Sequence, residues 1–253
     1  MVEHARNRLA VALMVVFVPL WVTLARLTVG SDPVQFRLRA TGEVVAANGS
    51  QLTQITGAMN AITGIIGFMM FAATFSSGCF DQRLVMAGFP RVHLLAAKVI
   101  CMSLAATALV AYATVVLCVF WSPRQPVLLA AALFCTALTY GAIGVALGAL
   151  LRREVEGMFA IVMLSVTDIV LQNPVQSASA ATDIVSFLPS YGAMQTAVAA
   201  GFTDTALPGY LLLPLSWFAV AAAFSLWTFQ RRTRIAPRAA VLPEPPAAPA
   251  AGR

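Results

Sequence analysis

The sequence predicts an all-α polytopic membrane protein: six transmembrane helices, a short cytoplasmic helix between the second and third, and short external re-entrant or interfacial helices before the last. Three observations predict it. Of 253 residues, 60% are hydrophobic and only 10% charged, against about 25% charged in an ordinary globular domain. The apolar residues form long blocks separated by short polar breaks, the pattern of helices crossing a hydrocarbon core of about 30 Å. Runs such as LAVALMVVFVPLWV lack the polar–apolar alternation, over about ten residues, of a membrane β-barrel strand.

Taken in order, Met1–Arg8 is polar and basic, and Leu9–Val29 is the first span. Pro19 can kink it and Arg26 can snorkel to the far interface. A basic start before an apolar run also resembles a signal peptide, but no small-x-small cleavage site follows, so the run is expected to be retained. Gly30–Gln54 is polar and reads as an extramembrane loop, followed by a second span, Ile55–Ser77.

Next comes the interruption on which the reading turns, from Ser77 to Lys98. Asp81, Arg83, Arg91 and Lys98 are costly in lipid, which places the segment at the membrane surface. Asp81 can cap a short helix with Leu84, Val85, Gly88 and Phe89 on one side, ended by Pro90. Such a helix suits docking of a partner protein; the plainer reading is a loop between spans.

The third span is Leu94–Phe120, turned by Ser122-Pro123-Arg124-Gln125-Pro126, and the fourth is Val127–Leu151, ending at a charged RREVE turn. The fifth, Gly157–Asn173, is rather short. Pro174–Leu207 is too polar to cross and too apolar for a free loop; two short interfacial or re-entrant helices broken near Leu188-Pro189-Ser190 fit it. Pro208–Phe229 is the sixth span. Residues 1–229 thus form one helical domain, and 230–253, basic and then Pro/Ala-rich, a disordered tail.

The formal charge of +6 reports topology. Six spans put both termini on one side. Twelve of the sixteen basic residues fall on that side and four on the other (Arg26, Arg37, Arg39 and Arg124), so both termini are expected in the cytoplasm of a bacterial plasma-membrane protein. No basic face interleaved with aromatics marks a nucleic-acid partner. The four cysteines, Cys79, Cys101, Cys118 and Cys135, lie within or beside apolar runs and are expected to stay reduced.

Several chemistries lack their residues. A phosphate-cradling Walker loop needs Gly-Lys-Ser/Thr, and the only Lys here, Lys98, follows Ala97. His4 and His93 are too few for a zinc site, and no Ser/His/Asp set is evident. Any active role must therefore draw energy from a partner or an ion gradient.

Three patterns remain. Thr56, Asn60, Thr63, Gly67, Met70 and Thr74 share one face of the second span, a stripe that either packs closely against another helix or lines a watery path. Gly144 and Gly148 form a GxxxG pair, with Gly141 beside it, for close packing in the fourth span. Ser165, Asp168 and Gln172 share a face of the fifth span. Asp168 is the one acid well inside a span and a functional candidate, or else it reaches water at the outer interface.

The order of six spans, the charged segment FDQRLVMAGFPRVHLLAAK leading into the third, the RREVEG turn into the fifth, and QNPVQ then FLPSYGAMQ before the last together resemble ABC transporter permeases of the type-two exporter kind. The chain differs from many members in having only eight residues before Leu9, where they carry a longer amphipathic helix. The resemblance implies that the segment between spans two and three is a coupling helix seated in a groove of a separate ATPase subunit, through Asp81, Arg83, Leu84, Val85, Gly88, Phe89, Pro90 and Arg91. It also implies a second permease copy or sister chain. ATP and magnesium would be held by the ATPase, with no cofactor or catalytic residue in this chain. Spans two and five would part around an amphipathic drug, antibiotic or lipid, with Thr56, Asn60, Thr63, Gly67, Met70, Thr74, Ser165, Asp168 and Gln172 as path candidates. The competing expectation is a six-span carrier driven by an ion gradient, although no internal repeat accompanies Asp168. A membrane enzyme or assembly factor lacks a catalytic set.

Overall fold

A computed structural model of the chain describes residues 8–30, 32–151, 153–173 and 183–234, leaving aside the side chains at 8–14, 79, 82, 91, 183 and 232–234. The Pro/Ala-rich tail from 235 onward and the stretch 174–182, which contains most of QNPVQ, lie outside the described residues.

Among the described residues seven α-helices carry the fold: α1 (Arg8–Thr28), α2 (Gly49–Met86), α3 (Arg91–Phe120), α4 (Pro126–Leu150), α5 (Glu154–Gln172), α6 (Tyr191–Phe202) and α7 (Leu212–Arg234). Among the described residues four stretches are long and apolar enough to cross a membrane: Gly49–Gly78, Val92–Phe120, Pro126–Leu150 and Pro208–Arg231. α1 contributes a shorter apolar stretch, Val15–Thr28. α5 opens on Glu154 and Glu156 and carries Asp168. Large apolar side chains stay exposed along α3 (Ile100, Leu104, Val115, Val119), α5 (Phe159, Val162, Val166, Val170) and α7 (Val220, Phe224, Trp227). These faces suit a lipid surround.

The all-helical expectation needs one correction. Pro33–Arg37 (β1) and Val44–Asn48 (β2) pair antiparallel, with Phe36 opposite Val45. Their turn closes through Leu38 N–H to Glu43 O, 2.8 Å, and Gly42 N–H to Leu38 O, 2.7 Å, with Gly42 at a φ of 75° that favours glycine. Leu38, Val45 and Ala47 point inward. The loop expected over Gly30–Gln54 therefore ends early: Asn48 caps α2, its side chain accepting from Ser50 N–H at 2.9 Å.

α2 and α4 run side by side at the centre. Gly67 and Phe71 of α2 face Gly144 and Gly148 of α4, where an added Cβ on Gly144 would overlap the Gly67 carbonyl. The GxxxG pair therefore does what small residues do between membrane helices: it lets two backbones touch. α5 crosses the same turn, Gly157 meeting the Phe71 ring and Ile161 meeting Gly67. α1 lies on α2 and is tied to α3 by Tyr112 O–H to Val15 O, 2.7 Å. α7 flanks α4, Thr139 O–H donating to Pro214 O at 2.8 Å, and it continues to Arg234, past the expected end at Phe229.

The break expected at Leu188-Pro189-Ser190 is present: a 3-10 turn, Asp183–Phe187, precedes it and α6 follows. α6 is short and almost wholly buried. Its outer end is stapled to the α3–α4 turn: Gln125 N–H donates to Ala200 O at 2.8 Å, and Trp121 stacks on Phe202 at 5.3 Å.

The molecule thus has two ends. One carries the β-hairpin and the α3–α4 turn; the other carries the α2–α3 tip, the α4–α5 turn and Arg231. Reporter fusions after Glu43 and Gln125 should read on one side of the membrane, and fusions after Gly88, Arg153 and Arg234 on the other. The same reporter signal at Glu43 and Gly88 would refute a single crossing by α2.

Candidate functional site

α2 is 38 residues long, which at 1.5 Å per residue is roughly 57 Å, nearly twice a hydrocarbon core. Its apolar part ends at Gly78, so its last turns continue beyond the span as one rigid rod. The expected separate helix capped by Asp81 does not form. No proline or cap interrupts Ser77–Met86, and the charge that was expected to start a new helix is compensated in place. Lys98 of α3 reaches back to Asp81 at 2.6 Å, and Ser77 O–H donates to the same carboxylate at 3.1 Å. Asp81 is consequently buried inside the helix rather than sitting at its start.

The rod ends where Gly88 adopts a φ of 88°. Gly88 N–H donates to Val85 O and Phe89 N–H to Leu84 O, both 3.0 Å. These satisfy carbonyls that a helix end leaves free, and Pro90 then starts α3. The helix expected to run on to Pro90 instead ends at Met86, because Gly88 takes a left-handed φ, so Gly88 and Phe89 belong to the turn and not to a helix face. Leu84 and Val85 are half-buried and Arg83 is exposed, while the Arg91 side chain lies outside the described set. Around the turn Met86, Phe89 and Val92 stand exposed, with Phe89 edge-on to His93 at 6.2 Å between ring centres. Met86 and Val92 were not foreseen; the signal was the Gly-Phe-Pro turn itself, which gathers residues from both helices at one tip.

The two polar stripes meet each other. Thr63 of α2 and Ser165 of α5 share a hydroxyl contact at 2.5 Å, Ser165 donates to Asn60 Oδ1 at 3.2 Å, and Asn173 Nδ2 donates to Thr56 Oγ1 at 3.1 Å. Further along, Gly67 packs on Ile161 and on the Tyr140 backbone, Met70 is buried, and Thr74 lies under Gly148. Of the two readings of the stripe, close packing is the one this conformation realises. The seam is polar from Thr56 to Thr63, so separating the helices there would present hydroxyls and amides to whatever entered.

Asp168 does not reach interfacial water; its exposure is 1%. Tyr140 O–H donates to Oδ2 at 2.6 Å, Gln172 Nε2 to Oδ1 at 2.5 Å, and the Ser190 backbone N–H to Oδ2 at 3.2 Å. Gln172 also donates to Ser190 Oγ at 2.8 Å. Three donors on a carboxylate with about four acceptor positions leave little capacity for a transported ion. Tyr140 and Ser190 were missed as partners because they lie 28 and 22 residues away along the chain, and no local spacing reveals them.

At the opposite end, Arg26 is exposed and rests over the Phe120 ring at 5.4 Å. It lines a recess of about 430 Å³ with Asn48, Ser50, Gln51 and Gln54. Among the described residues no three His, Cys, Asp or Glu side chains gather as metal ligands. No protein-family model and no curated protein matches the chain.

Proposed function

We propose that the chain is the membrane-spanning permease subunit of an ATP-driven exporter, similar to type-two ABC permeases, with six spans and both termini in the cytoplasm of a bacterial plasma membrane. A separate ATPase subunit holds ATP and magnesium and does the hydrolysis; a second permease copy or sister chain completes the path, and the cargo is an amphipathic small molecule or a lipid. The observation that carries this reading is the projecting α2–α3 tip with Met86, Phe89 and Val92 exposed. An apolar tip on a helix that continues into the membrane gives an ATPase both a knob to grip and a rod to push. Movement at the tip would travel along α2 to the seam with α5, whose hydrogen bonds can exchange for bonds to water or cargo as the helices part.

A second reading, an ion-gradient carrier, draws on Asp168. The saturation of that carboxylate by Tyr140, Gln172 and Ser190 weighs against it.

The test is co-expression with a candidate ATPase subunit. A buried aromatic anchor commonly carries about 2 kcal/mol or more, so Phe89→Ala should weaken co-purification by roughly thirtyfold. Export of a labelled amphipathic substrate should persist when ion gradients are collapsed and ATP remains. Full co-purification of Phe89→Ala removes the docking assignment, and export that stops with the gradient removes the ATP-driven one.

A further inference from the structure

The depth of α6 is set by its two ends. Its last turn pairs with Gln125, just before α4 begins. Its N-cap, Ser190, bonds to Asp168, which also holds Tyr140, and Gly192 abuts the Tyr210 carbonyl and Pro214. Tyr140 lies fourteen residues along α4 from Pro126, or about 21 Å at 1.5 Å per residue. α6 therefore begins near the middle of the bundle and rises to the hairpin end, a half-helix of 12 residues that enters without crossing. Met194, Ala197, Val198, Ala199 and Ala200 are all buried, so α6 fills the space between α4, α7 and the hairpin.

A helix that begins at such depth has a difficulty that the crossing helices lack. Its first N–H groups have no intrahelical acceptor, and no lipid can accept from them. The N-terminus also carries about half a positive charge. Asp168 answers both needs: it accepts from the Ser190 N–H and places a carboxylate beside the positive end. Gln172, bonded to the same carboxylate, holds the Ser190 hydroxyl.

We infer that Asp168 is a latch that keeps a re-entrant plug, α6, inserted among the helices, and that loss of this carboxylate frees the plug while the crossing helices stay packed. The inner end of α6 depends on the latch, whereas its outer end is held by Gln125, Trp121 and the Arg124–Asp204 pair at 2.6 Å. α6 should therefore loosen from within. The latch operates whatever the protein carries.

The test uses the full chain in permeabilised membranes with Cys79, Cys101, Cys118 and Cys135 replaced by Ala, and one reporter thiol at a time: Val198→Cys on α6 or Thr136→Cys on α4, both buried in the native fold. A membrane-impermeant maleimide should label neither when Asp168 is present. With Asp168→Ala, which leaves the Ser190 N–H without its acceptor, labelling at 198 should rise roughly tenfold or more, the scale of local opening expected when a buried donor loses its partner, with 136 still protected. Unchanged protection at 198 overturns the latch. If Asp168→Ala exposes both thiols, the triple variant Tyr140→Phe, Asp168→Leu, Gln172→Leu decides, because it replaces the α4–α5 polar contact with apolar packing yet leaves Ser190 uncapped. Labelling at 198 alone supports the latch. Protection of both thiols in the triple variant overturns it, as does exposure of both, since the carboxylate would then hold the whole bundle.

Discussion

Gly144→Ala should unfold this protein far more readily than its single methyl suggests. The added Cβ would overlap the Gly67 carbonyl and lie 3.2 Å from the Phe71 backbone nitrogen. Both are backbone atoms of α2, so no rotamer change relieves the contact and the two central helices must move apart. Separation would also loosen α5, which crosses α2 at the same turn through Gly157 and Ile161. Overpacking of a tight core costs about 1–3 kcal/mol and sometimes more; with backbone on both sides the upper figure applies. For a chain of this size roughly 3 kcal/mol corresponds to a fall of about 6–12 °C in the unfolding midpoint. The control is Gly64→Ala on α2, where a Cβ meets nothing within 4 Å. It should be neutral or slightly stabilising, by up to about 1 kcal/mol, because glycine is the poorer helix former. Thermal unfolding of both in one detergent decides; equal midpoints for Gly144→Ala and the native protein would mean that α2 and α4 do not pack this way.

Breaking the Asp81–Lys98 pair should free the α2–α3 tip. The two groups are 2.6 Å apart with side-chain exposures of 8% and 22%. Exposed pairs are worth about 0–1 kcal/mol, whereas removing one partner of a fully buried pair costs about 3–5 kcal/mol. With Lys98 partly wet, about 2 kcal/mol is the expected loss for Asp81→Ala, felt at the junction of the two helices. Lys98→Ala should cost a similar amount, and the double variant little more than either alone, because the interaction is lost only once. Hydrogen exchange at the Ala87–Phe89 amides, whose acceptors are Arg83, Val85 and Leu84, should accelerate in both single variants by roughly thirtyfold. Additive effects in the double variant would show that the pair does not couple the helices. Should the tip be the ATPase contact proposed above, the same variants would lower export per ATP hydrolysed without abolishing assembly, since Phe89 and Met86 remain.

Composition and block pattern were enough to establish a helical chain with stretches able to cross a membrane, because the need to satisfy every backbone group in lipid allows few alternatives. The GxxxG pair and the break at Leu188-Pro189-Ser190 were also legible, since glycine and proline act on the backbone locally. The hairpin was not: five-residue strands with burial alternating over β2 leave too little pattern among polar residues. The fate of the charges was not legible either. From sequence, Asp81 belonged at the membrane surface, able to cap a short helix or sit in a loop, and Asp168 was either functional or near water, because an isolated carboxylate is intolerable in an apolar surround. Tertiary structure decided otherwise by bringing Lys98 to the first, and Tyr140, Gln172 and the Ser190 N–H to the second. Whether a charge can be buried depends on partners distant in the chain, and only the packed helices determine which partners arrive.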